Sequence, residues 1–288
     1  MLPDVQKWLP DIRLSLTRVG VSNVRKLLRI PLPGKKPIIL LATFDCFVDL
    51  PPSQKGTHMS RNLEAINEIL EEVIRKPAYE LEGICGDIAE EVLRRHDYAT
   101  RCEVSMESKR MLHEETPSGT PSQNFVKILA RARALTGKGT EKEVGAEVRG
   151  IIIHPHSREK KIGAGSSQRA YASLLISVPE DRFIDIDDIV EILEGSLSAK
   201  AYGYLSESEE VKVMSSALQK SKFADDVVKD ILREAIKRFQ LPGYALLEAR
   251  CIAEESLFTH NSMAERKATY GDLRREFGSQ KDPEDFRR

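Results

Sequence analysis

Apolar residues in this chain are spaced first as in strands, then as in helices, then as in strands again, and the second half repeats that order. Ile12–Val24 and Pro37–Leu50 are expected to be extended, the latter carrying IILLATFDCFVDL. In Ser60–Arg75 the residues Leu63, Ile66, Ile69, Leu70 and Val73 recur at helical spacing behind Ser60, a residue type that caps helices. Pro77 ends that helix, and Leu81–His96 forms another with Leu81, Ile84, Ile88, Val92 and Leu93 on one face. Tyr98–Glu107 and Asn124–Ala134 are expected to be strands, although the alanines of the latter also suit a helix. Between them Glu115–Gln123, rich in Thr, Pro, Ser and Gly, is expected to be a loop.

In the second half, Glu147–Ile153 and Arg169–Val178 are expected to be strands, Ile184–Ala199 and Phe223–Phe239 helices, and Tyr244–Phe258 a long strand. The polar stretch Ser206–Ser216 fits neither pattern. The shared order strand, strand, helix, helix, strand predicts an α+β chain of two tandem modules, residues 1–140 and 141–271, meeting near Gly137–Gly145. Residues 272–288, ending KDPEDFRR, are expected to form a charged, flexible tail.

With 288 residues, 41% of them hydrophobic, the chain can bury a real core, which excludes a disordered or fibrous protein. Its 44 Lys+Arg against 45 Asp+Glu give no sequence-wide basic field, so nucleic acid is not an expected partner. Apolar runs such as Ile38–Ala42 are far short of the roughly 20 residues that span a bilayer. Charges run throughout Met1–Gly20, where a signal peptide needs an apolar centre, so the expected location is cytoplasmic, away from membranes. The four cysteines form no CxxC pair and are expected to be buried reduced thiols. Histidine is scarce, with six in all, and two of them share the tripeptide His154-Pro155-His156 directly after an apolar run.

The most distinctive peptide is FVDLPPSQKGTHMSRNLEAI, Phe47–Ile66, which runs from a strand end through a loop into a helix. Lys55, His58, Ser60 and Arg61 set two cations, an imidazole and a hydroxyl beside a helix N-terminus, a place that favours anions such as a triphosphate. A capped helix behind a solvated charged loop is the alternative reading of the same residues. The peptide resembles the N-terminal signature of the GTP cyclohydrolase family that comprises bacterial type IB and archaeal type IV enzymes. FADDVVKDI (Phe223–Ile231), GSLSAKAYGYL (Gly195–Leu205), LFTHNSMA (Leu257–Ala264) and the opening LPDVQ resemble further stretches of that family, in family order.

The resemblance implies the tunnelling fold, in which two tandem modules form antiparallel sheets backed by paired helices, and a homo-oligomer, a dimer or tetramer. It also implies an activity: water activated by a divalent metal attacks C8 of GTP, that carbon leaves as formate, and the product rearranges to a dihydroneopterin for pterin, folate or methanopterin biosynthesis. In archaea that product is a 2′,3′-cyclic phosphate made with Fe(II). Carried over by position, His154 and His58 become catalytic candidates, and Lys55, Ser60, Arg61, Gln168 and Arg169 substrate contacts. His154, His156 and His260 become ligands of Fe(II) or another divalent ion such as Zn(II) or Mn(II). Departures from the family pattern are also specific. His154-Pro155-His156 stands for Cys-Pro-Cys, Ser166 for the histidine of HNQR, Lys200 for an acidic ligand, and Ser215 for the glutamate that holds the guanine edge, with Glu209 and Glu210 nearby. These changes keep two other readings open, a non-catalytic paralogue that binds a purine or pterin or joins an active partner, and an enzyme moved to another purine or pterin. His96 and His113 lie outside the matching motifs and are expected to be structural or surface groups.

Overall fold

The computed structural model describes residues 8–30, 37–75, 80–155, 167–179, 182–255 and 258–279. The first half runs β1 (Leu16–Ile30), β2 (Ile38–Leu50), α1 (Met59–Arg75), α2 (Leu81–Arg95), β3 (Arg101–Glu115) and β4 (Pro121–Leu135). The second runs β5 (Gly139–Ile153), β6 (Ser167–Val178), α3 (Ile186–Ser196), β7 (Ala199–Lys200), α4 (Glu207–Gln219), α5 (Ala224–Arg238), β8 (Leu246–Glu254), β9 (Asn261–Thr269) and α6 (Tyr270–Gly278). The expected α+β order of paired strands and paired helices is present in both halves. The alanines of β4 resolve as strand, because in Ala130–Ala134 they alternate with Arg131 and Arg133, and Ala130, Ala132 and Ala134 are the buried ones.

The chain forms two compact units, Met1–Lys109 with Leu129–Val144, and Arg110–Ile128 with Gly145–Arg288. Strands β3, β4 and β5 pass from one to the other. The expected junction near Gly137–Gly145 holds no linker, since β4 and β5 meet in a tight turn where Gly137 and Gly139 take positive φ of 74° and 83°. In the first unit the strand order is β1-β2-β3-β4-β5. Alternate residues of β2, Ala42, Phe44, Cys46 and Val48, are buried, and Ile66 and Leu70 of α1 with Ile84, Ile88 and Val92 of α2 complete the core. Burying a side chain the size of Phe44 stabilises by about 2–3 kcal/mol. The β1–β2 register shifts between Val21 and Val24. There Asn23 takes φ 57°, and its N–H donates to the Asp45 carboxylate at 2.8 Å.

In the second unit β6 pairs with β8 in antiparallel register, Ala170 opposite Ala253, Ala172 opposite Cys251 and Leu174 opposite Ala249, all buried. This flat, small-residue surface faces α5, whose Val227, Val228, Ile231, Leu232 and Ala235 are buried. α3 starts two residues later than expected, at Ile186, because the Asp185 carboxylate accepts the Asp187 N–H at 2.9 Å and caps it. It also stops sooner, at Ser196, because Ala199 and Lys200 pair with β5. The polar stretch after Ser206 is helix α4, held by a capping box in which the Ser206 hydroxyl and the Glu209 carboxylate satisfy each other's backbone amides. The expected long strand Tyr244–Phe258 is shorter, and β9 follows it. β9 leaves little apolar pattern because it is a mostly exposed edge strand, NSMAERKAT.

The expected flexible tail needs correction at its start. Residues 270–278 are helix α6, capped by Thr269 and anchored by buried Tyr270 and Leu273; the remaining tail from residue 280 lies outside the described residues. Among the described residues no helix is long and apolar enough to cross a membrane. All four cysteines are free and buried, as expected. Cys46 and Cys102 stand on neighbouring strands with their sulfurs 4.0 Å apart.

Glu82, in the first turn of α2, is only 3% exposed, and its Oε1 has no hydrogen-bond partner among the described residues. Burial pushes its carboxyl up to about 7 from the ordinary 4.5; Glu80 adds to this, while its own backbone amide and Lys142 oppose it. A raised carboxyl favours folding while protonated, so this contribution is complete below the unfolded value near 4.5 and is lost as pH rises through 7. Glu82→Gln is therefore expected to be more stable than the parent above pH 7, by up to about 3 kcal/mol. Urea denaturation at pH 5 and pH 8 checks this, with the variant losing less stability between the two.

Candidate active site

Asp49, at the end of β2, opens the signature peptide. Its carboxylate accepts hydrogen bonds from the Thr100 N–H (2.9 Å), the Thr100 hydroxyl (2.7 Å) and the Arg101 N–H (2.8 Å), tying this strand end to the start of β3. Burial pushes the carboxyl up, but these bonds outweigh it and hold it below the ordinary range. α1 begins at Met59, so Ser60 sits exposed inside the first turn and is not the cap expected from its residue type. Arg61 is half-buried, and its Nη1 donates at 2.6 Å to the carbonyl of Arg95 at the end of α2, where a cation also suits the helix dipole. Lys55 lies 3.9 Å from Asp11 and 5.9 Å from the centre of the Trp8 ring. Both partners are exposed, and such a pair is worth under about 1 kcal/mol, so Lys55 can exchange them for a stronger anion. His58 is half-buried between Thr57 and the helix start. The expected anion-binding group is therefore gathered on one loop and first turn, with Arg61 already committed to the neighbouring helix.

The second unit contains a cavity of about 630 Å³, within the range of small-molecule sites. Its walls are Arg149–Ile151 of β5, Ser167, Gln168 and Arg169 of β6, Lys200 to Tyr202 and Leu205 after α3, Glu210, Val213 and Met214 of α4, and Glu254 and Glu255 at the end of β8. Two glycines let the 199–203 segment lie close against the sheet. A Cβ on Gly150 would stand 2.6 Å from the Ala199 carbonyl oxygen, and one on Gly203 1.9 Å from that of Gln123. Glu209 fixes the adjoining end of α4: its carboxylate accepts from the Ser118 N–H (3.1 Å) and hydroxyl and from the Ser206 N–H (2.8 Å) and hydroxyl (2.6 Å). The Ser118 hydroxyl first, and then Ser206 and Thr116, hold this carboxyl far below its usual range.

The cavity therefore brings together the expected contacts Gln168 and Arg169. The Gln168 amide donates to the Glu255 carboxylate, and Arg169 lies 3.8 Å from Glu254 with both side chains largely exposed. Lys200 presents an ammonium where the family resemblance leads one to expect a carboxylate. Its Nζ lies 2.9 Å from Glu114, 3.6 Å from Glu194 and 4.9 Å from the centre of the Tyr202 ring. Burial works against its charge, but the two carboxylates more than compensate and raise its pKa. Glu194 is raised chiefly by burial, with Glu114 adding and Lys200 opposing. Sequence reading missed Glu114, Arg149 and Tyr202. Glu114 lies 86 positions from Lys200, and nothing local signals such a partner. Ser215, at the expected guanine-edge position, donates its hydroxyl to the Val211 carbonyl of its own helix at 2.7 Å.

Of the three imidazoles expected to hold a metal, His154 packs edge-on against Phe223 with ring centres 4.7 Å apart, and His260 stacks on Phe258 at 5.2 Å. His156 and Ser166 lie outside the described residues. Among the described residues no group of three or more His, Cys, Asp or Glu side chains could hold a metal ion. The nearby carboxylates are engaged too, Glu114 and Glu194 by Lys200 and Glu255 by Gln168. Among the described residues these side chains form no metal site by themselves.

The paired strands and paired helices, twice over, are those of a tunnelling-fold protein. Uricase from Arthrobacter globiformis superposes with a TM-score of 0.53 over 94% of this chain and 98% of its own at 9% identity. A uricase from Bacillus fastidious gives 0.52 over 93% and 97% at 11% identity. At such identities the likeness is one of fold. The sequence goes further: residues 2–264 match the model of the type I GTP cyclohydrolase folE2 family. GTP cyclohydrolase MptA of Methanosarcina mazei is 38% identical over 308 aligned positions, 96% of this chain and 97% of that protein. MptA of Methanothermobacter thermautotrophicus is 39% identical, covering 95% of each chain. MptA of Halobacterium salinarum is 36% identical over 96% of this chain and 98% of its own. The chain belongs to the type I GTP cyclohydrolase family.

Removing the cation from the Glu114–Lys200–Glu194 group leaves two carboxylates facing each other in a partly buried place. Lys200→Met is expected to lower stability by about 1–3 kcal/mol at pH 8 and by less at pH 5, where Glu194, raised by burial, more readily takes up a proton. Thermal unfolding at the two pH values checks the difference.

Proposed function

We propose that this protein opens the purine ring of GTP. Water adds at C8, that carbon departs as formate, and the ring-opened product recloses as a dihydroneopterin for pterin or methanopterin biosynthesis in the cytoplasm. The observation that carries this reading is the family match across residues 2–264, which includes the intact Lys55-Gly56-Thr57-His58-Met59-Ser60-Arg61 stretch. The alternative of a non-catalytic paralogue is not favoured, since relatives matched over their full length are GTP cyclohydrolases by name.

In this reading Lys55, on the loop of the first unit, and Arg169, at the cavity of the second, are each candidate contacts for phosphate oxygens. Both now pair with exposed carboxylates, which a polyanion outcompetes. Ser60 and Gln168 add polar contacts, and Arg61 sets the position of the first turn. Glu210, in the cavity wall, takes the place of the missing guanine-edge glutamate and accepts from the purine N–H groups. His58 handles protons near the ring. His154, His156 and His260 are the residues that would hold a divalent ion, Fe(II) or another such as Zn(II) or Mn(II), which when bound would lower the pKa of a water. The active form is a homo-oligomer.

Formate release from GTP, measured with protein reconstituted anaerobically with Fe(II) or aerobically with Zn(II) or Mn(II), tests the reaction. Nucleotide binding without formate under all these conditions restores the paralogue reading. Lys55→Ala and Arg169→Ala are each expected to raise KM for GTP by roughly tenfold with kcat little changed, as for lost charge-assisted bonds to phosphate. Metal content per chain before and after His154→Ala tests the ligand assignment, and an unchanged content removes His154 from it.

A further inference from the structure

Behind the signature loop, in the same unit, lies a chain of buried polar groups. His96, the residue after α2, has no solvent exposure, and both ring nitrogens are engaged. Nδ1 lies 2.7 Å from the Tyr98 hydroxyl and Nε2 2.7 Å from Oδ1 of the equally buried Asn62, in α1. The Tyr98 hydroxyl in turn lies 2.7 Å from the Thr57 hydroxyl and accepts the backbone N–H of His58. Asn62 is oriented by its Nδ2, which donates to the Cys46 carbonyl on β2 at 3.4 Å. Thr57 and His58 belong to the loop, Asn62 to the helix behind it, and His96 and Tyr98 to the turn between α2 and β3.

Proton positions follow from this arrangement. With the Asn62 amide donating to Cys46, its oxygen faces His96 and requires a proton on Nε2. Burial first, then the charges of Arg61 and His58, lower the imidazole pKa to about 4, while Asp97 opposes them, so the ring is neutral at physiological pH. Nδ1 is then the unprotonated nitrogen, 2.7 Å from a Tyr98 hydroxyl that donates to the Thr57 hydroxyl at the same distance. Both ring nitrogens and both hydroxyls have a partner at 2.7 Å, which makes the chain a rigid clasp.

We propose that His96 and Tyr98 are positioning residues, which hold Thr57 and His58, and through them Lys55, in the geometry that receives the substrate's anionic group. Neither touches substrate. The proposal rests on the reading of this loop as a GTP contact, and two separate measurements keep the two claims apart. The first is hydrogen exchange of the backbone amides of residues 54–58, and the second is the split between KM and kcat.

Tyr98→Phe keeps the ring and removes the shared oxygen. Exchange in the loop is expected to rise roughly tenfold or more while the exchange of β2 and α2 stays at the parent level. KM for GTP is expected to rise by a similar factor with kcat within about threefold. His96→Gln, whose amide still donates and accepts, is expected to retain more loop protection than His96→Leu. Unchanged loop exchange in both Tyr98→Phe and His96→Leu overturns the clasp, as does a loss of protection spread evenly over the unit. Faster loop exchange in Tyr98→Phe with KM unchanged in both Tyr98→Phe and Lys55→Ala leaves the clasp standing and overturns the assignment of this loop to GTP.

Discussion

One packing constraint governs the rest of the molecule: each strand gives one face to a layer of helices, so its buried side chains must recur at every second residue. Where a helix sits close, those residues must also be small. Ala170, Ala172, Ala249, Cys251 and Ala253 meet this demand beneath α5, and in the first unit β4 buries Ala130, Ala132 and Ala134. A sheet surface that is apolar yet nearly flat explains how the chain builds an extensive core with only 6% aromatic residues. It also leaves the opposite faces and strand ends free for charge, which is where Arg149, Arg169 and Glu254 border the cavity.

Elements governed by this periodicity were legible in the sequence. β2, β6, α2 and α5 fall close to where their apolar spacing places them, and the alternation Ala-Arg-Ala-Arg-Ala settles β4 once it is weighed above helix propensity. Elements stabilised in other ways were not. α4 depends on the Ser206 and Glu209 capping box more than on an apolar face, β9 is an exposed edge, and α6 holds on through Tyr270, Leu273 and the Thr269 cap. The site divides along the same line. Residue types in the Lys55–Arg61 stretch announce an anion-binding place, because cations beside a helix start are locally readable. Pairs such as Asp49 with Thr100, Glu114 with Lys200, and Thr57 with Tyr98 join residues 41 to 86 positions apart, and only the folded chain brings them together.

The signature peptide thus combines two kinds of residue. Asp49, Thr57, Arg61 and Asn62 turn toward the protein and bind it to the α2–β3 turn through hydrogen bonds worth about 1 kcal/mol each. Lys55 and Ser60 turn outward, with only weak contacts to lose. A motif of this kind is recognisable because both tasks must be met within one short stretch. Lys200 illustrates the opposite case, where a single exchange of charge sign is accommodated by recruiting Glu114 and Glu194.

The burial of every thiol has a practical side. Cys46, Cys85 and Cys102 lie in the first unit and Cys251 in the second, all shielded from solvent, and burial pushes the Cys251 thiol up to about 12. A thiol reagent therefore reacts only when the chain opens. Its rate at Cys251 reports the opening of the second unit, and its rate at Cys46, Cys85 and Cys102 that of the first, so the native cysteines act as clocks that need no engineered label.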